Sequence, residues 1–489
     1  MAGERVDNYI EGRRAAASGT EVRPVFNPAL GEPVREVALS SCEDVDQAAA
    51  AASQAAGIWR SMAAAERCEI IGKFRQLLDE RQNAMAATVV EEHGKTTRQA
   101  RAEVVRALEV VGYCLESKFQ ARQAGNPSVD SGSMPVSETL IEPVGVVAGI
   151  TPFNFPVLVP LWMIAPALAL GNAFILKPAV ANPSASLLLA ELLGEAGLPD
   201  GVFNVVQGDR ETAQALIAHP RIDAVSFVGS SQAARQVYSQ AGAAGKRVQA
   251  AGSAKNHMVV MPDADLEAVA ETLVEAAYST AGQRCMAVSV AVPVGDNTAD
   301  ALVELVADKV RGLQIGAGSS EGVQMGPLIS AARRERVEEM IAAGVKEGAR
   351  LVVDGRQVKA PAGCEKGFFV GGTLFDQVGP EMSIYNEEIF GPVLSVVRVE
   401  ELAQACNLIN RHQYAKAASI FTGDADVASG FARRVQVGLV GINVALPVPK
   451  DYRSFGGWRA SRFGVSLLYG PRGVDFFTRV KTVTSRRRV

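Results

Sequence analysis

Residues 143–176 contain no charged side chain, and no other stretch limits so strongly what this chain can fold into. The run is long enough to cross a bilayer as a helix. Pro152, Pro156, Pro160 and Pro166 interrupt it, as do Gly145, Gly149 and Gly171. Each proline removes an amide donor, and lipid offers no partner for the backbone group left over. The pattern predicts buried strand, loop and short helix inside a soluble core, with no membrane span.

The 489 residues are 48% hydrophobic and 21% charged, enough to bury a core spread over several domains. A balance of 49 Lys+Arg against 53 Asp+Glu gives net charge −4 and argues against a nucleic-acid partner. Six cysteines lie far apart with no CxxC pair, and there are four histidines, so no metal site is expected. Sparse cysteines in a long chain fit reduced thiols and a cytoplasmic protein. The charged start, MAGERVDNYIEGRR, has no apolar run of the kind a signal peptide needs.

The first part of the chain reads as helical. Helices are expected over 42–60, after a Ser41/Asp44 cap, over 63–91 and over 99–119. The stretch 124–137 is rich in Gly, Pro and Ser and reads as a loop or edge excursion. Strand-like runs at 144–150, 173–176, 202–206 and 224–228 then alternate with helical runs at 184–197, 211–219 and 231–243. A second α/β region follows, with strands at 258–261 and 287–294 and helices at 265–280, 299–311 and 330–347. Such alternation predicts an α/β fold with a doubly wound, Rossmann-like parallel sheet. No fixed-period repeat is visible.

Two local motifs carry no chemistry. His93-Gly94-Lys95-Thr96-Thr97 looks like the end of a phosphate loop but lacks the first glycine, position 89 being Val. Gly318-Ser319-Ser320-Glu321-Gly322 matches GxSxG in a polar loop, without the strand-turn-helix that a nucleophile elbow requires. Cys285 is different. It stands between a helical run and an apolar strand with Arg284 beside it, a setting that favours thiolate over thiol. Taken alone, a single cysteine is more often a small buried hydrophobe.

Residues 142–178 (EPVGVVAGITPFNFPVLVPLWMIAPALALGNAFILKP), Phe227–Ser230, Gly282–Cys285 and NEEIFGP at 386–392 together resemble the aldehyde dehydrogenase superfamily. They occur in that family's order across nearly the whole chain. AKNHMVVMPDAD at 254–265, the RCMA run and VGINVALPVP at 440–449 are similar, more narrowly, to its CoA-acylating methylmalonate-semialdehyde branch.

The resemblance implies Cys285 as nucleophile and Asn154 as the side chain that stabilises the oxyanion. It assigns NAD to Thr151, Phe153, Lys177, Gly229, Ser230, Gly252, Glu388 and Phe390. Gly229-Ser230 also makes independent sense, because a strand-to-helix turn presents amides to phosphate. Val180 replaces the acidic residue usual three positions after Lys177, which leaves NADP open as cofactor. Arg106 and Arg284 match arginines that hold a substrate carboxylate, for which a guanidinium fork is suited.

One absence is informative. Hydrolytic members carry a glutamate where this chain has Ala251, and residues 247–256 (RVQAAGSAKN) contain no acid. Water would lack its general base, whereas a thiol such as coenzyme A needs less help. The reading is therefore oxidation of a malonate-type semialdehyde with transfer to CoA. A hydrolytic dehydrogenase for another anionic aldehyde, or a non-catalytic binding protein, stands as the alternative. Lys450-Asp451-Tyr452-Arg453, residues 465–468 and the stretch 112–142 depart from the close family, and Arg453 and Arg462 add positive charge.

The expected domains are a cofactor domain over 1–123 and 142–253 and a catalytic domain over 254–445. An oligomerisation element over 124–141 and 474–489 and a site wall over 446–473 complete the chain. The resemblance implies a homotetramer.

Overall fold

The computed structural model describes residues 4–120, 136–449, 453 and 455–485. Its first forty residues correct the expectation of a helical start. Strands run over Glu4–Val6, Asn8–Ile10, Arg13–Ala15, Val22–Asn27 and Glu32–Ala38. The last two pair antiparallel across a turn in which Asn27 accepts amides and Gly31 is left-handed, at φ 68°. The three-residue strands are too short to show any alternation of polar and apolar residues, so sequence period does not reveal them.

Helices follow where the pattern places them. Cys42–Ser61 begins with a capping box between Ser41 and Asp44. The expected helix over 63–91 is two, Ala64–Glu80 and Gln82–His93, broken at Arg81, where no Pro or Gly announces it. The next, Thr97–Leu115, turns Val104, Ala107, Leu108 and Val111 into the core.

The uncharged run becomes a strand, Val146–Ile150, a helix, Leu158–Ala169, and a second strand, Ala173–Lys177. Every residue of that helix is buried. Together with Phe203–Val205, Ala224–Val228 and Arg247–Ala251, these strands form the parallel part of an eight-stranded sheet. Strand Val146–Ile150 has Ala173–Lys177 on one side and Ala224–Val228 on the other. The strand order reverses there, and such a switch point opens a crevice beyond the carboxyl ends of the strands. Antiparallel strands close both edges, Arg462–Phe463 at one and the N-terminal pair at the other.

A second sheet has seven strands. Its centre is Val288–Pro293, Asn256–Val260 and Ala417–Phe421, in that spatial order and all parallel. Leu439–Ile442 lies at one edge and Arg350–Val353 at the other. Apart from both sheets, Val136–Pro143 pairs antiparallel with Thr478–Ser485 along eight residues. The 124–135 part of the expected excursion and Lys450–Tyr452 lie outside the described residues. Among the described residues no helix is long and apolar enough to cross a membrane, and no cluster of three or more His, Cys, Asp or Glu is placed to hold a metal.

Candidate active site

The two sheets are joined end to end: the carboxyl end of Arg247–Ala251 in the first leads into the amino end of Asn256–Val260 in the second. Thr151, Lys177, Gly229 and Gly252 sit at or just past the carboxyl ends of four adjacent strands. Cys285 lies three residues before Val288–Pro293 of the second sheet begins. The chain crosses from one sheet to the other in the four residues Gly252–Lys255, and each is pinned. Gly252 donates its amide to Ser461 O, and Ser253 donates its own to Ser231 Oγ. The Ala254 amide donates to Glu388 Oε1 at 2.8 Å, and Lys255 Nζ donates to Ile384 O and Glu387 O. Burial pulls the Lys255 ammonium down to about 7.

The segment before Cys285 is strained. Thr280, Ala281 and Gly282 are left-handed in succession, with φ of 58°, 52° and 68°. For the two non-glycine residues this costs on the order of 1–3 kcal/mol each. Gly282 is required twice over, because a Cβ there would lie 2.1 Å from the Gly391 carbonyl oxygen. The loop carrying Cys285 is thus packed on the loop carrying Glu388 and Phe390, and Phe390 is itself left-handed at φ 55°.

Cys285 lines two spaces. On one side a cavity of about 390 Å³ is walled by Phe155, Trp162, Phe455 and Leu446 and carries Arg106 and Arg284. On the other, Cys285 shares a narrow gap with Glu388, Phe390 and Arg284. Burial pushes the Cys285 thiol above its ordinary value; Lys416 and Arg284 pull it down, while Glu388 pushes it up. Arg106 pairs with Glu109 one turn along its helix and reaches the Pro449 carbonyl at 3.4 Å.

Asn154 is buried, and its loop is fixed by a buried ion pair that sequence reasoning missed. Lys95 Nζ lies 2.6 Å from Glu103 Oε2 and donates to Asn154 O at 2.8 Å. It also stands 4.4 Å above the Phe155 ring. Glu103 accepts the Val157 and Leu158 amides, capping the uncharged helix Leu158–Ala169. The clamp joins positions 59 residues apart, so the phosphate-loop look-alike around Lys95 gave no sign of it. Lys416 was missed as well, although one lysine inside the apolar YAKAASIF is a readable signal of a committed buried cation.

The residues at the crevice fit a dinucleotide. Ser230 caps the helix Ser231–Ala243 by accepting the Ala233 amide. Lys177 is buried at its strand end, where its ammonium donates to Pro178 O and Gly208 O at 2.7 Å and is pulled down to about 8 by burial. Phe153 and Phe390 meet edge to face at 5.8 Å.

This two-sheet α/β chain, with its switch-point crevice and half-buried Cys285, belongs to the aldehyde dehydrogenase family, whose model matches residues 15–483. Among its relatives, a malonate-semialdehyde dehydrogenase of Pseudomonas aeruginosa is 48% identical, covering 98% of this chain and 96% of that protein. A Dictyostelium discoideum protein described as a probable methylmalonate-semialdehyde/malonate-semialdehyde dehydrogenase of the acylating type is 41% identical, over 98% of this chain and 90% of its own. The crystal structure of methylmalonate-semialdehyde dehydrogenase from Oceanimonas doudoroffii superposes with a TM-score of 0.97 at 46% identity, covering 100% of this chain and 99% of that one. A candidate methylmalonate-semialdehyde dehydrogenase from Sinorhizobium meliloti, crystallised with NAD, gives the same TM-score at 45% identity, again covering 100% of this chain and 99% of that one.

Proposed function

We propose that this chain oxidises malonate or methylmalonate semialdehyde with NAD and passes the resulting acyl group to coenzyme A. In this reading Cys285 sulfur adds to the aldehyde carbon, and the Asn154 side-chain amide and Cys285 backbone amide donate to the oxyanion that forms. NAD, when bound, supplies the hydride acceptor that turns the adduct into a thioester; Lys177, Gly229, Ser230 and Gly252, with Glu388 and Phe390, are the residues that would hold it. Thr151 and Phe153 complete that wall. Arg106 and Arg284, on the cavity around Cys285, would orient the substrate carboxylate until it leaves as CO2. The thioester delocalises the electron pair left behind, and a proton takes its place.

The observation that carries the acceptor assignment is the state of the acids near Cys285. Ala251 stands at the strand end where hydrolytic relatives of this fold place a base. Glu103 is committed to Lys95 and two backbone amides, Glu275 is exposed and faces Arg98, and Glu388 accepts the Ala254 amide. Among the described residues each of these acids is thus already engaged, whereas a thiol is the better nucleophile without a base. The description of the Dictyostelium discoideum relative as acylating supports the same assignment. Without CoA the enzyme should give one burst of NADH and then turn over slowly; with CoA it should turn over repeatedly and release acetyl-CoA or propionyl-CoA. Rapid turnover to free acid in the absence of CoA overturns the acylating reading.

The same proposal includes assembly into a homotetramer in the cytoplasm. Ile442 and Val444 are exposed at the edge of the second sheet, and Leu140 and Val480 on the two-stranded ribbon. Unpaired edge strands with exposed apolar residues favour pairing between copies.

A further inference from the structure

Three parallel strands of the second sheet begin side by side at the site, and Asn256 opens the middle one. Its side chain binds both neighbours. Nδ2 donates to Cys285 O and Ala287 O, each at 3.0 Å, and Oδ1 accepts the Ala417 amide at 3.1 Å. Cys285 and Lys416 therefore flank one residue, at the amino ends of strands on either side of it. Lys416 is buried, and its ammonium donates to Gly252 O at 2.8 Å, one residue beyond Ala251. It lines a small cavity with Ala251, Ser461, Arg462 and Phe455, and Phe455 is also a wall of the cavity around Cys285. A cation thus occupies the neighbourhood from which the hydrolytic carboxylate is missing.

We propose that Lys416 is a positioning residue that lessens the cost of the buried Cys285 thiolate, both when the sulfur attacks and when it leaves. Glu388 and Arg284 share the narrow gap with Cys285, and Lys416 stands at the start of the third strand; across the larger cavity lie Arg106, Glu275 and the Lys95–Glu103 pair. Arg284 and Lys416 oppose Glu388 and the cost of burial. In the attack, the thiol gives its proton to solvent and the sulfur lone pair forms the bond to carbon. In transfer to a thiol acceptor the acceptor's sulfur bonds to the carbonyl carbon, and the Cys285 C–S bond breaks with its electron pair returning to Cys285. A nearby ammonium favours the anion in both events, and a thiol of lower pKa leaves faster. A carboxylate at position 251 would cancel this field, so the loss of that acid and the presence of Lys416 serve the same end. The first half of the proposal rests on Cys285 as nucleophile, the second on a thiol acceptor.

The test is the pH profile of Cys285 alkylation by iodoacetamide in the full chain without cofactor, read as the modified Cys285 peptide by mass spectrometry. This readout needs neither turnover nor CoA, so it stands apart from the acceptor assignment. Lys416→Gln and Lys416→Met should move the profile's midpoint upward by about one unit, a roughly tenfold loss of thiolate at neutral pH. Lys416→Arg should restore it. Gln keeps a donor for the Gly252 carbonyl, so a purely structural lysine predicts a Gln profile superimposed on the wild type. That result overturns the proposal, and it does so even where Lys416→Met fails to fold.

Discussion

Lys95 donates its ammonium to the backbone carbonyl of Asn154 at 2.8 Å while pairing with Glu103, both side chains being buried. The loop bearing Asn154, the proposed oxyanion donor, is thereby tied to the helix Thr97–Leu115. Asn154→Ala should lower turnover by about a hundredfold or more, the usual loss for one such donor. Lys95→Met should lower it by roughly ten- to a hundredfold by letting the donor drift. Breaking a buried pair also leaves Glu103 uncompensated and costs about 3–5 kcal/mol of stability. Lys95→Met combined with Glu103→Gln, which removes the charge and keeps an oxygen for the Val157 and Leu158 amides, should regain part of the melting temperature without regaining turnover. Full activity in that double variant would make the clamp irrelevant to catalysis.

Cys285→Ala should abolish NADH formation, a loss of about a thousandfold or more. Thermal unfolding and NAD titration should be nearly unchanged, because a small residue replaces a small thiol. Appreciable residual activity with intact Asn154 would remove Cys285 from the chemistry.

Replacing either arginine of the cavity should separate substrates by charge. Arg106→Leu and Arg284→Leu should raise KM for a semialdehyde carrying a carboxylate and leave propionaldehyde far less affected. Arg106 pairs with Glu109, so Glu109→Gln should lower KM for the charged substrate by freeing the guanidinium. Equal losses for both aldehydes would count against the carboxylate role.

Cofactor choice turns on Val180, three residues after Lys177. NAD should bind more tightly than NADP in titrations of each. Val180→Glu should widen the gap by repelling a 2′-phosphate. Tighter NADP binding to the unaltered chain would reverse the assignment.

Much of the fold was legible because its elements are long and regularly patterned. The helix Ser231–Ala243 is bounded as the sequence predicts, and the central strands differ from expectation by a residue or two. The uncharged run betrayed its burial through its prolines. The N-terminal strands escaped notice because three residues hold no period, and the Asn27 and Gly31 turn between the next two was a signal left unread. The break at Arg81 has no local cause in composition. At the site, residue types placed by motif came from resemblance, while Lys95, Glu103 and the bridging role of Asn256 depend on contacts between distant segments. Such partners are set by tertiary packing, which no local pattern encodes.

The four-residue crossing from Gly252 to Lys255 behaves as a ruler. Each of its residues is held by a hydrogen bond to a different part of the chain, so it has no slack to take up. The crevice proposed for the cofactor belongs to one sheet and the thiol to the other, and that crossing helps set the distance between them. Variation can therefore enlarge the cavity walls or lengthen the surface loops and change which aldehyde is accepted. An insertion or deletion in the crossing would instead shift the two halves of the reaction out of alignment while leaving each sheet folded. Substrate range is free to drift in this architecture, and reach is not.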